Sequence, residues 1–308
     1  MVLIPETSIH VAVALMERAE ATQEDARRPH LGASELGEEC VRKIWSKFHW
    51  LADGRRDGRM IRLLRRGKVE ETLMLQDLAD LGYEIIPGKD LQVAAFGGHL
   101  GGTPDAGILG IPAAPKTKHI LELKTSNDAN QKKLIKLGVE EAHPEHYVQI
   151  QVYMALNGFE RALYLSINKN DDTIYEERVP LNRVAAQRYL DRAQRVIERQ
   201  SLPERISEDP EWYQCRMCQY HANCFERAMP ARSCRTCLHV TAEIEGTGGW
   251  WCGKHQKALT VDEQKAGCEH QRFLPSILHW MEQVDATNEA VIYRREDGTR
   301  WEDRGPNA

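Results

Sequence analysis

The chain of 308 residues predicts an α/β fold followed by a small cysteine-rich module. Three observations point there. The run His119-Ile120-Leu121-Glu122-Leu123-Lys124-Thr125 alternates apolar and polar side chains with the period of a strand. The stretch 60–81 before it, and others after it, repeat apolar residues at helical spacing. Of the eight cysteines, all but Cys40 fall between 215 and 268, at the short spacings of metal ligands. A chain of this length can bury one sizeable core and carry a small further unit. We therefore expect an α/β domain over 1–229, a cysteine-rich module over 230–275 and a tail over 276–308. Hydrophobic residues at 42% and charged residues at 28% are ordinary for a globular chain, and no internal repeat or low-complexity tract is present.

In chain order, a helix over 9–23 leads through a loop to a second helix at Cys40. In the helix over 60–81, Glu71 shares a stripe with Leu64, Gly67, Met74, Leu75 and Leu78 and is expected to face inward. Glu70 lies four residues after Arg66 and is expected in a surface ion pair. A carboxylate on an apolar stripe costs free energy unless paired, and a metal ion is one such partner. Strands follow at 83–87, 91–96 and 118–124. On the last, Glu122 and Lys124 share one face while Leu121 and Leu123 turn to the core. Asp105, in Gly102-Thr103-Pro104-Asp105, precedes that strand by a short gap. Two carboxylates suit a hard divalent cation such as magnesium or manganese. A lysine beside them can orient a water and offset charge on a phosphate.

A helix over 143–157 presents Gln149 and Tyr153 on one face. A strand at 161–168 turns at Asn170-Asp171-Asp172 into one at 173–179, and a long helix over 181–200 leads to the cysteines. A further hairpin is expected at Asp297-Gly298.

No apolar leader and no run of about 18 apolar residues is present, so neither secretion nor a membrane span is expected. In a cytoplasmic chain, clustered cysteines bind metal more often than they form disulfides. Cys215-x2-Cys218-x5-Cys224 supplies three ligands and lacks a fourth, while Cys40 stands alone about 175 residues upstream. Cys234-x2-Cys237, Cys252 and Cys268 read as a zinc-ribbon-like set. Its second half lacks a Cys-x2-Cys pair, which leaves His255 as a substitute ligand, with His239 and His270 close by. Trp250 and Trp251 are expected to pack over this site rather than stack on bases.

Net charge is −5, mildly unexpected for a nucleic-acid enzyme, but the positive charge is concentrated. Arg62, Arg65, Arg66 and Lys68 belong to one basic stretch, and Lys116, Lys118, Lys124, Lys132, Lys133 and Lys136 bracket the Glu-x-Lys strand. Such patches beside an acidic metal site suit a phosphate backbone.

Taken in order, Gly67 with Glu71, Asp105, Glu122-x-Lys124 and Gln149-x3-Tyr153, flanked by Cys40 and the Cys215–Cys224 triplet, resemble the PD-(D/E)XK nuclease superfamily. Within it they resemble the RecB-like iron–sulfur exonucleases, and are similar to CRISPR-associated four-cysteine exonucleases and phage recombination exonucleases. The resemblance implies a restriction-endonuclease-like core with flanking helices and an iron–sulfur clasp. It implies a metal-dependent DNA nuclease, an exonuclease of recombination, repair or phage DNA processing, in a bacterial or phage-infected cell. Asp105, Glu122 and Glu71 would hold one or two magnesium or manganese ions, Lys124 would position the water, and Gln149 and Tyr153 would support the site. Cys40, Cys215, Cys218 and Cys224 would bind a [4Fe–4S] cluster, with zinc as the structural alternative. That cluster would act as a clasp closing a long loop. Cys234, Cys237, Cys252 and Cys268 would bind zinc. DNA is the implied partner, and a strand-annealing recombinase or a helicase is compatible with it. One departure stands out: many four-cysteine relatives place histidine where this chain has Glu71. The competing expectation is a non-catalytic nucleic-acid-binding or assembly protein, against which the retained acids and Lys124 argue.

Overall fold

Alternation at 119–126 and helical periodicity on either side of it produce a mixed five-stranded sheet covered by helices on both faces. The computed structural model of the protein describes residues 10–23, 25, 27–245 and 249–306. Ile9, where the first helix was expected to begin, lies outside them. Helices α1 (Val11–Ala21), α2 (Val41–Phe48) and α3 (Gly58–Asp80) come first, with β1 (Leu31–Gly32) between α1 and α2. The start of α3 is fixed by Asp57, whose side chain accepts from the Met60 amide. Then follow β2 (Glu84–Pro87), β3 (Val93–Ala95), β4 (Leu100–Gly102), β5 (Ala106–Leu109) and β6 (His119–Ser126). Helices α4 (Asp128–Ala142) and α5 (Pro144–Asn157) lead to β7 (Arg161–Asn168) and β8 (Ile174–Pro180). Helices α6 (Arg183–Glu198), α7 (Tyr213–Arg216) and α8 (His221–Phe225) precede β9 (Val240–Ala242), β10 (Trp250–Cys252), β11 (Lys257–Leu259) and α9 (Val261–Ala266). The chain ends on β12 (Glu282–Ala286), β13 (Val291–Arg294) and β14 (Arg300–Asp303).

The main sheet has the order β2-β5-β6-β7-β8. Its only parallel pair is β6 and β7, in register Glu122 to Tyr164 and Lys124 to Ser166. A parallel pair needs a long crossover, and α4 and α5 provide it. Both faces of β6 are buried, where the sequence reading placed the core on one. Leu121 and Leu123 pack with Met74 of α3 and with Ile108, Leu163 and Leu165. On the opposite face Ile120 and Tyr164 pack with Val148, Val152 and Tyr153. A central strand roofed by helices on both sides has no solvent face.

Three other elements depart from expectation. The strand expected over 91–96 is shorter, begins after a 3₁₀ turn (Gly88–Leu91), and pairs with β4 outside the main sheet. Strand β5, for which no element was expected, sits in the main sheet between β2 and β6. Helix α4 was not expected, because Gly138 (φ 74) breaks it and its apolar residues Ile135 and Leu137 are exposed. The hairpin at Asp297-Gly298 is present: Arg294 pairs with Arg300 across it, and β12 adds a third strand.

The cysteine-rich segment shares a core with the N-terminal helices. Cys234, Cys237, Trp250, Cys252 and Phe273 belong to the same buried cluster as Ile44, Trp45 and Phe48. Arg235, 2% exposed, is the rivet. Its guanidinium lies 3.7 Å from the Trp50 ring and 4.6 Å from the Trp250 ring. It donates to the carbonyls of Pro29 and Phe48 and to Gln264 Oε1. Burial draws its pKa down to about 9. Trp250 is thus a packing residue.

Candidate active-site cleft and cysteine sites

A cleft of about 370 Å³ opens where α3 crosses the end of β6, and Glu71, Asp105, Lys124, His146 and Lys169 line it. Asp105 stands at the start of β5, and its Oδ2 accepts from the Leu123 amide at 2.7 Å, which pins it to the neighbouring strand. Glu122, on β6, has no solvent exposure. Its Oε1 accepts from the Lys124 ammonium, and its Oε2 is buried with no hydrogen-bond partner among the described residues. Burial raises the Glu122 carboxyl to about 7; Lys124 opposes the shift, and the charges of Asp105 and Glu71 add to it. Burial alone would lower the Lys124 pKa, but the carboxylates of Glu122 and Asp105 hold it above its ordinary value. The two carboxylates thus favour the charged form of Lys124.

Tyr153 reaches the same point from α5. Gln149 Nε2 donates to its hydroxyl at 3.3 Å, and burial beside Glu122 pushes the phenol up to about 12. Gly102 on β4 makes room for it: a Cβ there would lie 2.7 Å from Tyr153 Cε1 and Oη. The sequence-predicted Asp105, Glu122, Lys124, Gln149 and Tyr153 thus meet at one end of the sheet. Glu71 joins them from α3, half-buried and paired with Lys68 at 2.5 Å.

The separation expected between the two glutamates is corrected. Glu70 also lines the cleft and, among the described residues, makes no ion pair with Arg66, because this stretch of α3 lies over the cleft mouth with Leu63 and Leu64 exposed. Of the four basic residues expected to bind nucleic acid, Lys68 lines the cleft, whereas Arg65 and Arg66 are exposed and Arg62 is half-buried on α3.

Sequence reasoning missed His146 and Lys169. His146 lies one helical turn before Gln149, and that i,i+3 spacing was the available signal. Its Nδ1 lies 3.0 Å from Tyr164 Oη, and burial, with Lys124 beside it, lowers its pKa to about 3. Lys169 follows β7 and depends on the sheet register, which no local pattern reveals.

Cys40, Cys215, Cys218 and Cys224 line one cavity of about 230 Å³ together with Arg42, Lys43 and Arg205. The Tyr220 amide donates to Cys218 Sγ at 3.5 Å, and Arg42 Nη1 lies 3.9 Å from Cys224 Sγ. Burial and the neighbouring thiols raise the pKa values of Cys215 and Cys218. Cys234, Cys237, Cys252 and Cys268 line a second cavity of about 140 Å³, which His239, His255 and His270 also border. Cys268 Sγ lies 3.6 Å from His255 Nε2. Burial and the three other thiols push Cys234 up to about 12. Burial also raises the pKa of Cys237, so a bound cation is what would deprotonate these raised thiols.

No family model matches the chain, and no curated protein matches it. Among solved structures it is similar to LHK-Exo in complex with dAMP, at 16% identity and TM-score 0.41, over 58% of this chain and 90% of that one. It is similar to SSO0001 at 16% identity and TM-score 0.39, over 70% and 95% of the two chains. It is also similar to an alkaline exonuclease, LHK-Exo, from Laribacter hongkongensis, at 17% identity and TM-score 0.37, over 58% and 90%.

Proposed function

We propose that the protein is a metal-dependent DNA nuclease of the RecB-like iron–sulfur type, an exonuclease serving recombination, repair or phage DNA processing. The observation that carries this reading is the buried Glu122 Oε2, an acceptor with no partner among the described residues, beside Asp105 and Lys124. An orphan carboxylate oxygen is costly unless a cation meets it. Asp105, Glu122 and Glu71 would hold magnesium or manganese. Bound there, the ion supplies Lewis-acid stabilisation of phosphate charge and a more acidic water.

The remaining work falls to side chains. Lys124 stays protonated, so it orients the attacking water and screens the phosphate instead of accepting a proton. Tyr153, neutral and held by Gln149, donates its hydroxyl hydrogen in the same space. Lys68 and Lys169 at the cleft mouth meet the phosphate backbone.

The cysteine sets take structural roles in this reading. Cys40, Cys215, Cys218 and Cys224 hold a [4Fe–4S] cluster that clasps the domain over 1–229; the amide and guanidinium beside the sulfurs support it. Cys234, Cys237, Cys252 and Cys268 hold zinc in a module over 230–275, ahead of the tail over 276–308.

The test is cleavage and DNA binding measured side by side. Asp105→Asn and Glu71→Ala should lose cutting, Asp105→Asn by at least about a hundredfold, while binding survives. Wild-type cutting rates in both variants would refute the assignment.

A further inference from the structure

We propose that His143, Glu145 and His146, at the first turn of α5, form a further divalent-metal site of two imidazoles and one carboxylate. Their ligand atoms all lie within 4.8 Å of one another. Glu145 Oε1 is 3.0 Å from His143 Nδ1 and 3.8 Å from His146 Nε2. Ligands around a tetrahedral ion with bonds near 2 Å stand about 3.3 Å apart, a length that these two edges bracket. The two rings stack, with centroids 4.8 Å apart and planes at 22°, so one ring must turn for both nitrogens to reach a shared ion.

Two further observations favour an ion over a plain hydrogen-bonded pair. The Nδ1 of His146 is taken by the Tyr164 hydroxyl at 3.0 Å, which fixes the ring and leaves Nε2 directed at Glu145. An outer hydrogen bond of this kind is what orients metal-binding imidazoles. The backbone of Glu145 is also held. Gly37 packs so closely on it that a Cβ at Gly37 would lie 2.4 Å from Glu145 Cα. Nearby positive charge is already committed: Lys124 is bonded to Glu122, and Lys133 Nζ donates to the Ala142 carbonyl at 2.8 Å.

Two imidazoles with a carboxylate suit a borderline first-row ion, zinc or nickel, better than magnesium. Such an ion would lock the turn that precedes Gln149 and Tyr153. The inference does not rest on the nuclease reading, although His146 also lines the cleft.

The experiment is calorimetric titration of the intact protein with nickel chloride in magnesium-free buffer, followed by near-ultraviolet absorption. Wild type and the double variant Asp105→Asn/Glu122→Gln should both show a one-equivalent binding step without sulfur-to-nickel charge transfer. His143→Ala should remove that step, and Glu145→Gln should weaken it at least about tenfold, which keeps the test decisive if His143→Ala folds poorly. A step unchanged in Glu145→Gln and His143→Ala, or one carrying a thiolate charge-transfer band, would overturn the site.

Discussion

Glu122 concentrates the electrostatics of the cleft in one side chain. Its carboxyl is raised from 4.5 to about 7 by burial, so the fold favours its protonated form. For a raised carboxyl the stabilising contribution is full below the ordinary value and is lost as pH rises through the folded one. In chelator-treated protein, wild-type thermal stability should therefore fall relative to Glu122→Gln between about pH 5 and pH 8, and magnesium should reverse the fall. Parallel stability curves for the two proteins would refute this. At this scale much was legible. Asp105 and Glu122-x-Lys124 make a weak pattern alone and were singled out by the ordered elements around them; the structure brings the three side chains to one point. Gln149 and Tyr153 followed from helical spacing. The inward direction of Glu71 was read correctly in part; the outward direction of Glu70 was not, since the periodicity of α3 does not say where the sheet beneath it ends. His146 and Lys169 were hidden because their meaning depends on what lies opposite them.

Among the elements, β4 and α5 meet closely at the site. The Gly102 backbone meets the Tyr153 ring, and Tyr153, 3% exposed and bonded to Gln149, has no room to retreat. Gly102→Ala should therefore cost about 1–3 kcal/mol of stability and lower cleavage together. Chemical denaturation and a cleavage assay check both, and an unchanged midpoint would show that the ring moves freely. Strand β6, helix α3 and the β7–β8 hairpin were legible because each carries a clean period and defined ends. Strand β5 was not, since Ala106-Gly107-Ile108-Leu109 is short and glycine-bearing and is held as a strand by β2 and β6. Helix α4 escaped notice because it spans the crossover with few buried side chains, a case where tertiary context decides over local pattern.

For the whole molecule, a shared core and one buried arginine join the N-terminal helices to the cysteine-rich segment. Arg235 sits between Cys234 and Cys237 yet stacks on Trp50, so the module is anchored in the N-terminal helices rather than hung from a linker. The spacing of the cysteines was legible; this shared core was not, because contacts nearly two hundred residues apart leave no local trace. Protein prepared without oxygen should be brown, and Cys40→Ser should bleach it and lower its stability by a few kcal/mol, since about 175 residues of loop are no longer closed. Elemental analysis should find roughly one zinc per chain at the second set. Two zincs and no iron would turn the clasp into a zinc site.

The most direct test of the central claim is incubation of anaerobically purified protein with end-labelled DNA, with and without magnesium, beside Lys124→Ala. The account predicts cutting by the wild type only when the metal is present, and none by Lys124→Ala. Cutting that persists in chelator, or Lys124→Ala cutting as fast as the wild type, would contradict it.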